Sequence, residues 1–179
     1  LATVAATVAV GAALLLAYGQ RLKPGPVLGI AARIASMGYA VPGAVIAVGV
    51  LLPFAWLDNQ VDGVMRSTFG ISTGLILSGT LVALVFGYLV RFLAISFNTV
   101  EASLGKVTPT MDGAARTLGL GSGATLRRVH IPILSGSLLT AALLVFVDVM
   151  KELPATLIMR PFNFNTLAVR AFELAEDEQ

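Results

Sequence analysis

The chain has 179 residues, of which 56% are hydrophobic and only 12% charged, with a mean hydropathy of +0.87 and a net charge of +2. A soluble domain carries roughly 25% charged residues, so this composition excludes a water-soluble globule, and it excludes disorder, which needs low hydrophobicity and high charge. The absence of cysteine and the single histidine exclude a disulfide scaffold, a thiolate metal site and a cysteine nucleophile. The small net charge gives no electrostatic footprint for nucleic acid.

Four windows contain no Asp, Glu, Lys or Arg: 1–20, 34–57, 67–90 and 129–147. A helix crosses ~30 Å of hydrocarbon with ~20 apolar residues, whereas long helices of soluble proteins carry a polar stripe. The windows therefore predict spans near 1–18, 38–55, 71–90 and 134–150, forming an all-α, polytopic transmembrane bundle read as a single domain over 1–179. The first window has no basic segment ahead of it, as a signal peptide would, and a chain opening on Leu1 reads as a fragment. In the second, Pro42 and Gly43 lie near the start, where proline is tolerated; deeper, it would kink the helix. In the third, Gly70, Gly74 and Ser78 recur four residues apart and predict a small-residue packing face.

Orientation follows from Lys and Arg. Segment 19–37 holds Arg21, Lys23 and Arg33, and segment 91–128 holds Arg91, Lys106, Arg116, Arg127 and Arg128. Segments 56–70 and 151–179 carry Arg66, Lys151, Arg160 and Arg170 together with most of the acids. Eight basic residues against four put 19–37 and 91–133 in the cytoplasm and both chain ends outside.

The loop 104–133 predicts two short helices. One runs 110–118, with Thr110 as N-cap and Gly119 as terminator. The other runs 122–130, capped by Ser122 and stopped before Pro132. Arg116, Arg127 and Arg128 surround a shallow surface at Ala114 and Ala115. The loop contains no catalytic or phosphate-binding pattern. Leu120 stands where a membrane serine protease needs Gly two residues before Ser122, and no Lys-Ser/Thr follows the glycines of 119–123 as a phosphate loop requires. His130, alone beside a basic pair, reads as an interface residue.

The run Gly113-Ala114-Ala115-Arg116-Thr117-Leu118-Gly119, followed by Ile131-Pro132-Ile133, resembles the EAA loop of binding-protein-dependent ABC importer permeases. Ala114, Ala115, Gly119 and Pro132 match that motif. Gly113 departs from it, standing where the family has Glu, with Asp112 one residue earlier. A second run, Asp148-Val149-Met150-Lys151-Glu152-Leu153-Pro154-Ala155-Thr156-Leu157 with Arg160-Pro161-Phe162 and Thr166-Leu167-Ala168, is similar to the ferric-iron type. There it corresponds to the C-terminal half of a two-half chain, cut before its last span, and the likeness runs from about residue 30 to the end.

The resemblance implies a transport subunit of the bacterial inner membrane, surrounded by lipid, without a cofactor, a bound metal or an ATP site of its own. It implies cytoplasmic ATPase subunits as partners, docked on Asp112, Gly113, Ala114, Ala115, Arg116, Gly119 and Pro132. It also implies an extracytoplasmic solute-binding protein and a second permease half. Ferric iron is the first cargo class; thiamine, phosphonate, sulfate and polyamines are alternatives, and an ion-driven carrier is an alternative of another kind. Charged residues within spans are costly and usually functional, so Asp148, Lys151 and Glu152 are candidates for an outer gate, or for an interfacial ion pair that fixes helix depth.

Overall fold

A computed structural model describes residues 1–177. It is all-α, and among the described residues four helices are long and apolar enough to cross a membrane. In order the α-helices of the described residues are α1 (Ala2–Leu22), a short α2 (Pro26–Met37), α3 (Gly43–Phe69), α4 (Leu81–Leu104), the loop helices α5 (Pro109–Thr117) and α6 (Ser122–Thr125), α7 (Ile131–Lys151), and α8 (Pro154–Met159) and α9 (Leu167–Asp177). The chain is a multi-pass membrane protein.

Two apolar clusters stacked along the bundle set the helix directions. One gathers Ala5, Ala6 and Ala9 of α1, Ile46 and Val50 of α3, Leu84, Tyr88 and Phe92 of α4, and Val145 and Val149 of α7. The other gathers Ala13, Leu14 and Ala17 of α1, Ala32 of α2, Phe97, Val100 and Leu104 of α4, and Leu134 of α7. Helix α1 thus runs parallel to α4, and α7 runs antiparallel to both. Alanines at Ala5, Ala9, Ala13 and Ala17 let α1 lie close against its neighbours, as small residues do between membrane helices.

The second crossing is not the single helix expected over 38–55. It is divided between α2, beside the second cluster, and the start of α3, beside the first. A 3₁₀ turn at Gly38–Ala40 and extended residues Val41 and Pro42 separate them, next to Val90 and Arg91 near the middle of α4. Pro42 has no amide hydrogen and restricts Val41 to extended backbone, so the helix stops and restarts there.

The third crossing is also displaced. Residues 70–80 are a loop, and the helix begins at Leu81, with Thr80 capping it through a 3.2 Å bond from the Val82 amide to its hydroxyl. The expected packing face at Gly70, Gly74 and Ser78 is therefore absent. Two carboxylates one turn apart on α3 hold this loop. Asp62 accepts from the amides of Thr73 and Gly74 at 2.7 and 3.1 Å. Asp58 accepts from the amides of Ile76, Leu77 and Ser78 at 3.1, 2.9 and 2.8 Å, and from the Ser78 hydroxyl at 2.5 Å. An uncharged Gly/Ser/Thr-rich stretch reads as lipid-compatible by charge alone, but here it folds onto its neighbour's acids.

Candidate functional site

The loop helices hang from the basic end of the bundle. Helix α5 starts one residue earlier than expected, with Thr108 at the N-cap position and Pro109 in the first turn; Thr110 lies within the helix, and the two threonine hydroxyls bond to each other at 2.8 Å. Gly119 ends the turn at φ +78°, a left-handed conformation that costs a residue with a side chain roughly 1–2 kcal/mol. The second helix does not stop before Pro132. Gly121, not Ser122, is the N-cap, and α6 passes through a π-helical turn at Leu126–His130 directly into α7. Proline clashes with the carbonyl four residues back in a regular helix. The wider turn ahead of Pro132 relieves that crowding, so 122–151 forms one continuous rod.

Asp112 joins this loop to the spans. Its Oδ2 accepts from Arg21 Nε at 2.9 Å, at the end of α1, and its Oδ1 lies 2.7 Å from Nε2 of His130. A carboxylate can only accept, so the His130 proton sits on Nε2. His130 is fully buried and its ring lies 5.1 Å from that of Tyr18. Tyr18 in turn donates to the Ser122 carbonyl at 2.8 Å. The Arg21 fork also donates to the carbonyls of Leu104 and Val107, at 2.9 and 2.7 Å, where the chain leaves α4. One guanidinium thus ties α1, the end of α4 and α5, and one carboxylate ties α1, α5 and the head of α7.

The remaining residues of the motif face outward. Gly113, Ala114, Arg116, Gly119 and Pro132 are exposed, as are Met111 and Leu118, whereas Ala115 is buried. Arg116, Arg127 and Arg128 are exposed as well. Asp112 does not contribute an acid to it, because both its oxygens are turned inward.

Burial pushes the Asp112 carboxyl up, but the hydrogen bonds and charges of Arg21 and His130 outweigh it and hold the group below its ordinary value. A carboxyl lowered on folding stabilises the folded state fully above its unfolded value, and that contribution is lost as pH falls through the folded value. The clamp is therefore intact at neutral pH and releases only below the ordinary carboxylate range. Hydrogen exchange of the α5 amides, followed from neutral pH downward, should show protection lost there. Asp112→Asn should be less protected throughout and lack that transition.

The three acidic and basic residues near the end of α7 separate. Lys151 is exposed and pairs with Asp148 at 2.6 Å, within the helix. Glu152 turns inward, buried, with Oε2 3.2 Å from Nε of Arg91. Arg91 also donates to the freed carbonyl of Val41 at 2.7 Å, in the break of the second crossing. Its guanidinium lies 6.0 and 5.7 Å from the ring centres of Tyr39 and Phe92. A side chain at Gly43 would run into the Glu152 carboxylate, so glycine is needed for this approach. Sequence reasoning missed Tyr18, Arg21 and Arg91 and took His130 only for an interface residue. A lone arginine inside an apolar stretch was a signal for Arg91; Tyr18 and Arg21 depend on contacts across 83 to 104 residues of chain, which no local pattern reveals.

No family model matches the chain. Over 147 residues, 82% of its length, it is 26% identical to an Fe(3+)-transport system permease protein, FbpB 2, of Haemophilus influenzae. Over 137 residues, 76% of its length, it is 26% identical to PhnV of Salmonella typhimurium, a permease protein named for 2-aminoethylphosphonate transport, and equally to PhnV of Salmonella choleraesuis. These matches span 26% of the Haemophilus protein and 46% of each Salmonella protein, so the chain covers less than half the length of the curated relatives it matches. In sequence the chain is thus similar to transport-system permease proteins, and it carries a loop that resembles the EAA motif of ABC importer permeases.

Proposed function

We propose that the chain is the membrane-spanning part of an ATP-driven, binding-protein-dependent importer in the bacterial inner membrane, with ferric iron as its cargo. The observation that carries this reading is the exposed α5–α6 surface at the basic end. A nine-residue helix leaves Met111, Gly113, Ala114 and Arg116 exposed, with Leu118 exposed just past its end, while its acid anchors it from behind. On this reading the surface seats on a cytoplasmic ATPase subunit, through Gly113, Ala114, Arg116, Gly119 and Pro132, with Asp112 and Ala115 holding the helix in place. A solute-binding protein delivers cargo at the opposite end, and a second permease half completes the pathway. Asp148 and Lys151 stand at the outer mouth of that pathway; Glu152 acts deeper, in the packing beneath it. Nucleotide-driven closure of the ATPases moves the loop and biases the spans between two arrangements.

The iron assignment follows the run from Asp148 to Leu157 and the relative named for Fe(3+). The phosphonate alternative follows the PhnV proteins, of which the match covers a larger share. Co-purification tests the mechanism: the full-length protein, extracted in mild detergent, brings down a P-loop ATPase, and failure to do so removes the importer reading. Uptake of radiolabelled iron against 2-aminoethylphosphonate in proteoliposomes then decides the cargo.

A further inference from the structure

We infer that Arg21 is the positioning residue through which movement of the α5–α6 loop reaches the first span. The inference rests on the ATPase-docking reading and goes beyond it, because that reading concerns only the loop and the two spans covalently joined to it. Helix α1 has no such connection: Arg21 lies 91 residues from Asp112 in sequence. Displacement of the loop reaches α1 through its packing on α4 and α7 or through the direct bonds of its last turns to the loop.

The geometry gives that route a specific form. Along α5 only Ala115 is buried, and Asp112 is the side chain of that helix bonded to other elements among the described residues. The helix is therefore lightly held by packing and firmly held at one carboxylate. Arg21 meets it with a planar fork whose remaining nitrogens are committed to the Leu104 and Val107 carbonyls. A guanidinium fork fixes direction as well as distance, so α5 cannot rotate about Asp112 without carrying the end of α1 or breaking several charge-assisted bonds. One turn back along α1, Tyr18 holds the other side of the loop at Ser122. The last turn of α1 thus grips both α5 and α6. Above it, α1 packs on α4 and α7 mainly through the small side chains Ala5, Ala9 and Ala13, with Leu14 among them.

The test uses the full-length permease with its ATPase in lipid nanodiscs. Spin labels are placed at Thr3→Cys on α1 and Val147→Cys on α7, two exposed positions, and distances are read without nucleotide and with ATP trapped by vanadate. In the otherwise unchanged protein the inter-label distance shifts with nucleotide. In Arg21→Gln the ATPase still co-purifies and that shift is lost. In Arg21→Lys, which keeps the charge but not the fork, the shift is reduced. His130→Gln, which removes the other partner of Asp112 and leaves Arg21, retains it. A full shift in Arg21→Gln overturns the inference, as does a first span that does not move in the unchanged protein. Should Arg21→Gln not assemble, Arg21→Lys decides: a reduced shift supports the inference and a full one overturns it. Absence of a co-purifying ATPase from the unchanged protein, checked before any distance is measured, instead overturns the docking reading together with the inference.

Discussion

Glu152→Gln lowers the thermal stability of the detergent-purified protein by an amount corresponding to about 3–5 kcal/mol, the usual cost of removing one partner of a buried ion pair. The effect is large because Arg91 is left behind. Its guanidinium sits near the middle of α4, and an arginine at the centre of a spanning helix costs about 2.5–3.5 kcal/mol on insertion scales even where it finds relief. Glu152 supplies that relief at 3.2 Å and in the same position accepts from the Ala155 amide in the first turn of α8. The control is Lys151→Ala. Lys151 pairs with Asp148 at a similar depth in the sequence, but its side chain is 67% exposed, and exposed pairs contribute no more than about 1 kcal/mol. Replacing both buried partners, as Arg91→Met with Glu152→Met, should recover part of the loss. Recovery should be incomplete, because the Val41 carbonyl also loses its donor. A Glu152→Gln protein that melts with the unchanged one would show that the pair does not hold the broken crossing together.

Gly119→Trp should abolish ATPase co-purification and transport while the protein still inserts and keeps nearly all its stability. Two facts separate the effects. The left-handed φ of +78° makes any side chain strained, which costs roughly 1–2 kcal/mol. A Cβ there meets nothing within 4 Å, so a side chain at this position starts in open space and not against an internal contact. Gly119→Ala carries the same strain without the bulk and should retain most transport. If Ala and Trp behave alike, the loss comes from the turn's geometry; if Trp alone is inactive, it comes from a surface that a partner needs. Normal transport in Gly119→Trp would remove the docking assignment.

The helical class and the number of crossings were legible because lipid demands long uncharged runs, and 1–20 and 129–147 coincide with the apolar parts of α1 and α7. The other two crossings were misplaced for one physical reason: absence of charge is not the same as presence of helix. Residues 70–80 lack charge but are rich in glycine and hydroxyl side chains, and they form a loop because Asp58 and Asp62 offer acceptors for their amides. Conversely, Arg91 lies inside a crossing that a charge count ends before it, because Glu152 neutralises it from 61 positions away. The turn at Gly119 was legible from the loop motif, and α5 was placed to within a residue. Its anchoring was not, since Arg21 and Tyr18 carry no local mark of what they touch. Pro132 misled in the opposite sense: proline commonly ends a helix, yet a widened turn ahead of it lets the rod continue.

The tethering of residues 70–80 bears on what that end of the bundle can bind. Consecutive backbone amides around glycines form ready receptors for anions, and residues 73, 74, 76, 77 and 78 direct five of them inward to Asp58 and Asp62. Those receptors are already filled by tethered acids that no free solute can outcompete at ordinary concentrations. An anion approaching this loop therefore finds those five amides already taken.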